Sequence, residues 1–236
     1  MPTLDVASHA KTLETQSAAN VLQWTWDTFG ADAAATSSFQ THSLPLLHLI
    51  ATTVPELPVL FLDTGFHFPE TLRFRDRVVE ELGLNLQVLK TRMGHERFQE
   101  KHGQLHRRDP DLCCHLNKVK PLQRAMADRM AWVAGIRRDQ TAQRQDTPVL
   151  AGPESVDRYD VYKICPIASW TEAQVQRYRA EHDLPEHPLG DQGYASIGCA
   201  PCTQPVTSGD SRAGRWANHT KTECGLHFDT DPEESA

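Results

Sequence analysis

Pro58-Val59-Leu60-Phe61-Leu62-Asp63-Thr64-Gly65 is a compact apolar run closed by a turn signal, the pattern of a buried strand that ends in a loop. Residues 70–82 follow with Leu72, Val78, Val79 and Leu82 at helical spacing and a stop at Gly83, and residues 84–89 form a further short strand. Upstream, residues 34–39 read as a first strand leading to an apolar helix over 44–53, where Pro45 is tolerable only in the first turn. Ala18, Leu22, Trp26 and Phe29 place an amphipathic helix that stops at Gly30. Residues 131–136 are another strand, and Ser169-Trp170-Thr171-Glu172 reads as a capping box opening a helix to His182. Short strands alternating with longer helices predict βαβ units, so the fold class is α/β, a parallel-type sheet flanked by helices over residues 1–185. After Pro185 periodicity is lost and Gly, Pro, Cys and Ser dominate. Residues 186–236 are expected to be a loop-rich C-terminal segment that needs the sheet domain or a metal for its order, with a disordered acidic end over 229–236.

A chain of 236 residues suits one α/β domain with a short appendage. Its net charge of −7 argues against general affinity for nucleic acid, which requires a basic surface. The charge is uneven: residues 107–144 hold nine Arg or Lys against four Asp, a balance suited to a small polyanion. A merely solvated basic face would leave the same trace. The first ten residues are polar and lack an apolar run, and no stretch approaches the length of a membrane helix. A cytoplasmic location is therefore expected, with no membrane partner. There, paired cysteines are more often metal ligands or redox groups than structural disulfides.

The six cysteines divide by environment. Cys113-Cys114 and Cys199-x-x-Cys202 supply four thiolates, enough for an iron–sulfur cluster or an all-cysteine zinc site. Adjacent cysteines reach different irons of one cluster more readily than they converge on one zinc, which favours the cluster over zinc and over redox disulfides. Cys224 stands alone in Lys221-Thr222-Glu223-Cys224-Gly225-Leu226-His227, with Arg212 and Arg215 nearby in sequence. Cationic neighbours lower a thiol pKa, so Cys224 is a candidate nucleophile. Cys165, between Ile164 and Pro166, reads as a core residue.

Two further segments sit where an α/β sheet places ligands. Ser37-Ser38-Phe39-Gln40-Thr41-His42-Ser43 lies where the first strand gives way to a helix, a position that favours phosphate, although an ordinary Ser/Thr-rich N-cap would look the same. Arg137-Arg138-Asp139-Gln140 follows the strand at 131–136, at its carboxyl end.

Taken together these elements resemble the assimilatory adenylyl-sulfate and phosphoadenylyl-sulfate reductases. The resemblance runs from about Ser37 to His227. It rests on Leu62-Asp63-Thr64-Gly65 with Pro69-Glu70-Thr71, on Cys113-Cys114 with Lys118 and Pro121-Leu122, and on Gly135-Ile136-Arg137-Arg138-Asp139-Gln140. At the C-terminal end it rests on Ile197-Gly198-Cys199-x-x-Cys202-Thr203, Arg212-x-Gly214-Arg215-Trp216 and Glu223-Cys224-Gly225-Leu226-His227. It implies an ATP-pyrophosphatase-like (adenine nucleotide α-hydrolase-like) fold and a [4Fe–4S] cluster on Cys113, Cys114, Cys199 and Cys202, with Cys224 as the catalytic cysteine of a mobile C-terminal segment. One departure is that family members often carry Ser-Phe-Gly-Ala-Glu-Asp where this chain has Ser38-Phe39-Gln40-Thr41-His42-Ser43.

The chemistry implied is attack by Cys224 on the sulfur of an adenylylated sulfate, leaving an S-sulfocysteine that thioredoxin, or a glutaredoxin-like dithiol donor, reduces to release sulfite. Adenosine 5′-phosphosulfate is the expected substrate, because within the family both cysteine pairs generally accompany its use; the 3′-phosphorylated compound is the alternative. The expected substrate contacts are Ser38, Phe39, Asp63, Thr64, Gly65, Lys118, Arg137, Arg138, Arg212, Arg215 and His227. Of these, Lys118, Arg138, Arg212 and Arg215 would screen the anionic substrate, and His227 would serve as a polar contact or acid. Two competing readings are an adenylating enzyme of the same fold, disfavoured by the missing Ser-Gly-Gly-x-Asp-Ser loop, and a non-enzymatic iron–sulfur sensor. A homo-oligomer is compatible with the sequence.

Overall fold

The computed structural model describes residues 4–156, 158–206, 212–217, 219, 221, 223 and 225–227. Six strands form one sheet: β1 (Ala33–Thr36), β2 (Val59–Asp63), β3 (Leu86–Lys90), β4 (Ala131–Ala134), β5 (Leu150–Ala151) and β6 (Tyr162–Ile164). Their order is β3-β2-β1-β4-β6-β5. β1 pairs in parallel with β2 and β4, and β4 with β6, while β5 runs antiparallel to β6. Helices α1 (Val6–Leu13), α2 (Ala18–Phe29), α3 (Leu44–Thr53), α4 (Pro69–Leu82) and α9 (Glu172–Glu181) accompany the strands. Between β3 and β4 lie the shorter α5 (His95–His102), α6 (Leu105–Arg108), α7 (Pro110–Cys114) and α8 (Lys120–Met126).

The centre of the sheet is closely packed because its residues are small or well tied. Ala33, Ala34 and Ala35 of β1 are buried, and so is every residue of β4. Trp132 stands beside Ala34 in register, and its indole N–H donates to Thr36 Oγ1 at 2.8 Å, so the largest core side chain meets its hydrogen-bonding need inside the sheet. The chain runs β1, β2, β3 to one side and then returns to the other side of β1 as β4. That reversal puts a topological switch point between β1 and β4, where open α/β sheets bind ligands.

Several expectations change in detail. The first strand stops at Thr36, since Phe39 adopts a left-handed φ of 52° with its ring buried against Phe61, which breaks the ladder. The capping box lies two residues later than expected. Thr171 caps α9, accepting from the Gln174 N–H, while the Gln174 side chain accepts from the Thr171 N–H. α1 and the antiparallel β5 lack a sequence signal of their own. Pro45 falls in the first turn of α3, as its chemistry requires.

Contacts divide the chain into two units. One comprises residues 1–61, 76–87 and 126–185, and the other residues 62–75, 88–125 and 186–236. The second unit thus gathers three stretches far apart in sequence, including both cysteine pairs. Among the described residues no helix is long and apolar enough to cross a membrane.

Candidate active site

In the first unit the loops after β1 and β4 flank the switch point, and a polar network joins them. Ser37 Oγ accepts from the Phe39 N–H at 3.1 Å, and Ser38 Oγ lies 3.3 Å from Ser43 Oγ while accepting from the Gln40 side-chain amide at 3.2 Å. His42 Nε2 is 3.0 Å from one Glu172 oxygen, and Arg137 donates to the other at 2.7 Å. The Arg137 guanidinium also donates to Asp139 at 2.9 Å and is buried, so two carboxylates hold its charge in place. Burial opposes ionisation of Glu172, but hydrogen bonding from Gln176 and the charges of His42 and Arg137 outweigh it and hold its pKa below the usual carboxylate range. Arg138 is more open, donating to both Glu14 oxygens and to the Thr147 carbonyl.

In the second unit the four paired cysteines surround one cavity. Its walls include Thr64, Phe66, His106, Pro110, Cys113, Cys114, Asn117, Lys118, Cys199, Pro201, Cys202, Arg215 and Trp216. Cys113 and Cys114 end α7, and the π turn His115–Val119 carries Asn117 and Lys118 around to the same space. Lys118 is therefore about one turn from Cys114, although the turn is wider than an α-helical one. Cys199 and Cys202 bracket the 3₁₀ turn Ala200–Cys202. The Ala200 N–H donates to the Phe66 carbonyl at 2.7 Å, which ties that turn to the Asp63-Thr64-Gly65 segment.

The sulfurs are free thiols supported by nearby polar groups. Thr64 Oγ1 lies 3.3 Å from Cys199 Sγ, and the Asn117 amide donates to the Cys113 carbonyl at 3.0 Å and reaches its sulfur at 3.7 Å. Burial pushes the Cys113 thiol up to about 12; the neighbouring sulfurs of Cys114, Cys199 and Cys202 add to the rise, and Lys118 opposes it. Burial and Cys199 likewise raise Cys202, against the charges of Lys118, Arg215 and Lys221. A cation entering among the sulfurs would favour the ionised forms of Cys113 and Cys202, and a set of soft sulfur donors suits a soft transition metal. Among the described residues no group of three or more His, Cys, Asp or Glu is arranged to hold a single metal ion.

Glycines open space for the motif side chains. Gly65 has a φ of 74°, and a Cβ there would lie 2.3 Å from the His95 ring. A Cβ on Gly198 would lie 2.3 Å from the Arg215 guanidinium, and one on Gly214 would meet the Gln204 carbonyl at 2.1 Å. Asp63 accepts from the Gly65 N–H at 3.0 Å and pairs with Lys90 at 3.3 Å. Burial raises its pKa, but these two partners more than offset that. Arg212 donates to Glu223 at 3.1 Å, Lys221 pairs with Asp111, and His227 is half-buried. The predicted nucleophile Cys224 lies outside the described residues, as does the tail 229–236.

The structure thus places Cys113, Cys114, Cys199, Cys202, Lys118, Arg215 and Thr64 around one cavity. Ser38, Phe39, Arg137 and Arg138 belong to the other unit. Sequence reasoning did not find Asn117, Phe66 or His106, and it gave Trp216 a place in a motif without a role. Asn117 had a usable signal: it stands four residues after Cys113, one turn along a helical segment. Cys165 is fully buried, and burial pushes its thiol up to about 11, in keeping with a core role.

A mostly parallel sheet flanked by helices, with its switch point beside a Ser-rich loop, makes this an α/β protein of the open-sheet class, in which ligands bind outside the carboxyl ends of the strands. The particular family follows from the comparisons. The model of the phosphoadenosine phosphosulfate reductase domain matches residues 32–205, and the chain belongs to that family. It is 45% identical over 217 residues to the adenosine 5′-phosphosulfate reductase of Streptomyces coelicolor, covering 91% of this chain and 90% of that one. It is 42% identical to the protein of the same name from Salinibacter ruber, covering 92% of this chain and 86% of that one. Among solved structures, phosphoadenylyl-sulfate reductase from Candida auris aligns with a TM-score of 0.75 at 31% identity, covering 87% of this chain and 99% of that one. Candida glabrata FMN adenylyltransferase, at 14% identity and a TM-score of 0.57, covers 100% of this chain and 84% of that one and shares the fold alone.

Proposed function

We propose that this chain reduces adenosine 5′-phosphosulfate to sulfite and AMP in sulfate assimilation. The observation that carries the reading is the ring of four free thiols around one cavity, with Lys118 and Arg215 in its wall, in a chain 40% or more identical to relatives named for that reaction. Cys113, Cys114, Cys199 and Cys202 would hold a [4Fe–4S] cluster. The donor set fits it: three buried sulfurs and the half-buried Cys202 line one cavity, and the adjacent Cys113 and Cys114 suit different irons of one group better than a lone zinc ion. Such a cluster would cross-link the two polypeptide segments that carry its ligands, with its cationic core offset by the four thiolates. The electrons come from thiols.

In the proposed reaction the Cys224 thiolate attacks the sulfate sulfur, the bond from that sulfur to the phosphate oxygen breaks, and AMP departs with the bonding electrons. Thioredoxin then attacks the Cys224 sulfur and expels sulfite. Its second thiol resolves the mixed disulfide, so two thiols are oxidised for each sulfite released. Arg138, Lys118, Arg212 and Arg215 lower the repulsion between anionic substrate and thiolate. Ser38 and Phe39 present the loop after β1 to the nucleotide, and Arg137, held by Asp139 and Glu172, fixes the neighbouring loop.

The test is sulfite release from adenosine 5′-phosphosulfate by the purified enzyme with thioredoxin. C224S is expected to keep its iron and form no sulfite, and C113S to lose iron, while C165A keeps both. The 3′-phosphorylated compound is the competing substrate, favoured by the likeness to the 31% identical phosphoadenylyl-sulfate reductase structure. A preference for it of about tenfold or more in kcat/KM, close to 1.4 kcal/mol, would reverse the choice of substrate.

A further inference from the structure

Trp216 has no assigned role, yet cations gather on its ring. Arg215 lies over it at 4.4 Å from guanidinium carbon to ring centroid, Lys221 Nζ at 5.6 Å and Arg212 at 5.9 Å, all within cation–π range. The indole is buried, at 3% exposure, and its residue holds a left-handed φ of 49°, an uncommon conformation for a bulky side chain. Backbone bonds hold it there: the Trp216 N–H donates to the Cys202 carbonyl at 3.0 Å, and Gln204 donates to the Gly214 carbonyl at 2.8 Å. Gly198 leaves the space in which the Arg215 guanidinium lies beside the ring.

We propose that Trp216 is a positioning residue for the reaction, an aromatic platform that holds Arg212, Arg215 and Lys221 together as one cationic surface for the sulfate end of the substrate. Three like charges repel one another, and carboxylates alone would neutralise the surface an anion needs. The negative face of an indole draws cations together without adding formal charge. Glu223 and Asp111 each take one of these cations, on Arg212 and Lys221. Arg215 has the closest ring contact of the three. The tie to Cys202 sets this surface beside the loop of the second cysteine pair.

This inference rests on the proposed reductase activity, and the experiment separates the two. W216F, W216L and wild type are compared for visible absorbance and iron content, for kcat and KM with adenosine 5′-phosphosulfate, and for thermal stabilisation by inorganic sulfate. W216F keeps a π face and is expected to stay within a few-fold of wild type in every readout. W216L is expected to keep its iron, to raise KM by about tenfold or more, and to lose the stabilisation by sulfate. Equal behaviour of the Phe and Leu variants would overturn the platform, as would an unchanged KM in W216L. Loss of iron from W216L would overturn it too, because Trp216 would then be a support for the thiol loop. Absence of sulfite formation by wild type would instead count against the reductase reading.

Discussion

His187 shows how one side chain couples the second unit to pH. It is buried at 1% exposure, with its Nε2 3.0 Å from Thr71 Oγ1, its Nδ1 accepting from the Leu189 N–H, and its ring 5.0 Å from Phe74. With Nδ1 accepting, the neutral tautomer carries its proton on Nε2 and donates to Thr71. Burial lowers the pKa from the ordinary 6.5 to about 4, against a smaller opposing effect of Glu70. Between those values the unfolded chain binds a proton that the folded chain refuses, so stability rises with pH across that window. His187 therefore contributes its full share above about pH 6.5 and progressively less as the pH falls toward 4. Urea midpoints at pH 5 and pH 7 should differ less in His187→Gln than in wild type; an unchanged difference would remove His187 from the acid response.

At the scale of elements, α9 tests how capping was read. The sequence Ser169-Trp170-Thr171-Glu172 satisfies the capping pattern, and so does Thr171-Glu172-Ala173-Gln174, because both place a hydroxyl three residues before Glu or Gln. Sequence pattern alone cannot rank two overlapping boxes. What decides is tertiary: Glu172 is drawn to Arg137 and His42, and its N–H to Asp139, which leaves Gln174 to close the box. Thr171→Ala should cost about 1 kcal/mol in chemical unfolding, as for other cap losses, and Ser169→Ala much less. The reverse ranking would restore the earlier box. The same logic explains what else was legible. α2, α3, α4 and β4 carry strong periodicity or unbroken apolar runs, and the structure has them within a residue or two of expectation. The strand before Ser37 was read too long because Phe39 is apolar and buried yet left-handed, and side-chain type does not report backbone handedness. α5 to α7 are short, and their order comes from contacts within the second unit, which no local pattern announces.

For the whole molecule, the two cysteine pairs stood out in the sequence by their spacing, and the structure brings them around one cavity, while most of that cavity's wall was not legible. Phe66, His106 with Asn117, and Trp216 come from three separate stretches and meet only in three dimensions. That difference leads to a prediction about how stability is distributed. β1 and β4 are paired along their length, and buried apolar side chains cover them. The thiol-bearing stretches have little regular structure of their own: α6 and α7 span four and five residues, and Cys199 and Cys202 sit on a single 3₁₀ turn. Helices that short are unstable alone, so their order depends on packing around Phe66, Phe98, Leu105, Cys113 and Cys199, and the proposed cluster would add to it. Metal held by thiolates from two distant segments would make binding energy into folding energy. Iron-loaded and iron-depleted protein, compared by amide hydrogen exchange, should therefore differ most over residues 105–119 and 196–206, with exchange faster by about tenfold or more after depletion. Amides of β1 and β4 should keep their protection. Equal loosening throughout would mean that the metal supports the whole fold, and no loosening anywhere would mean that the four thiols do not hold it.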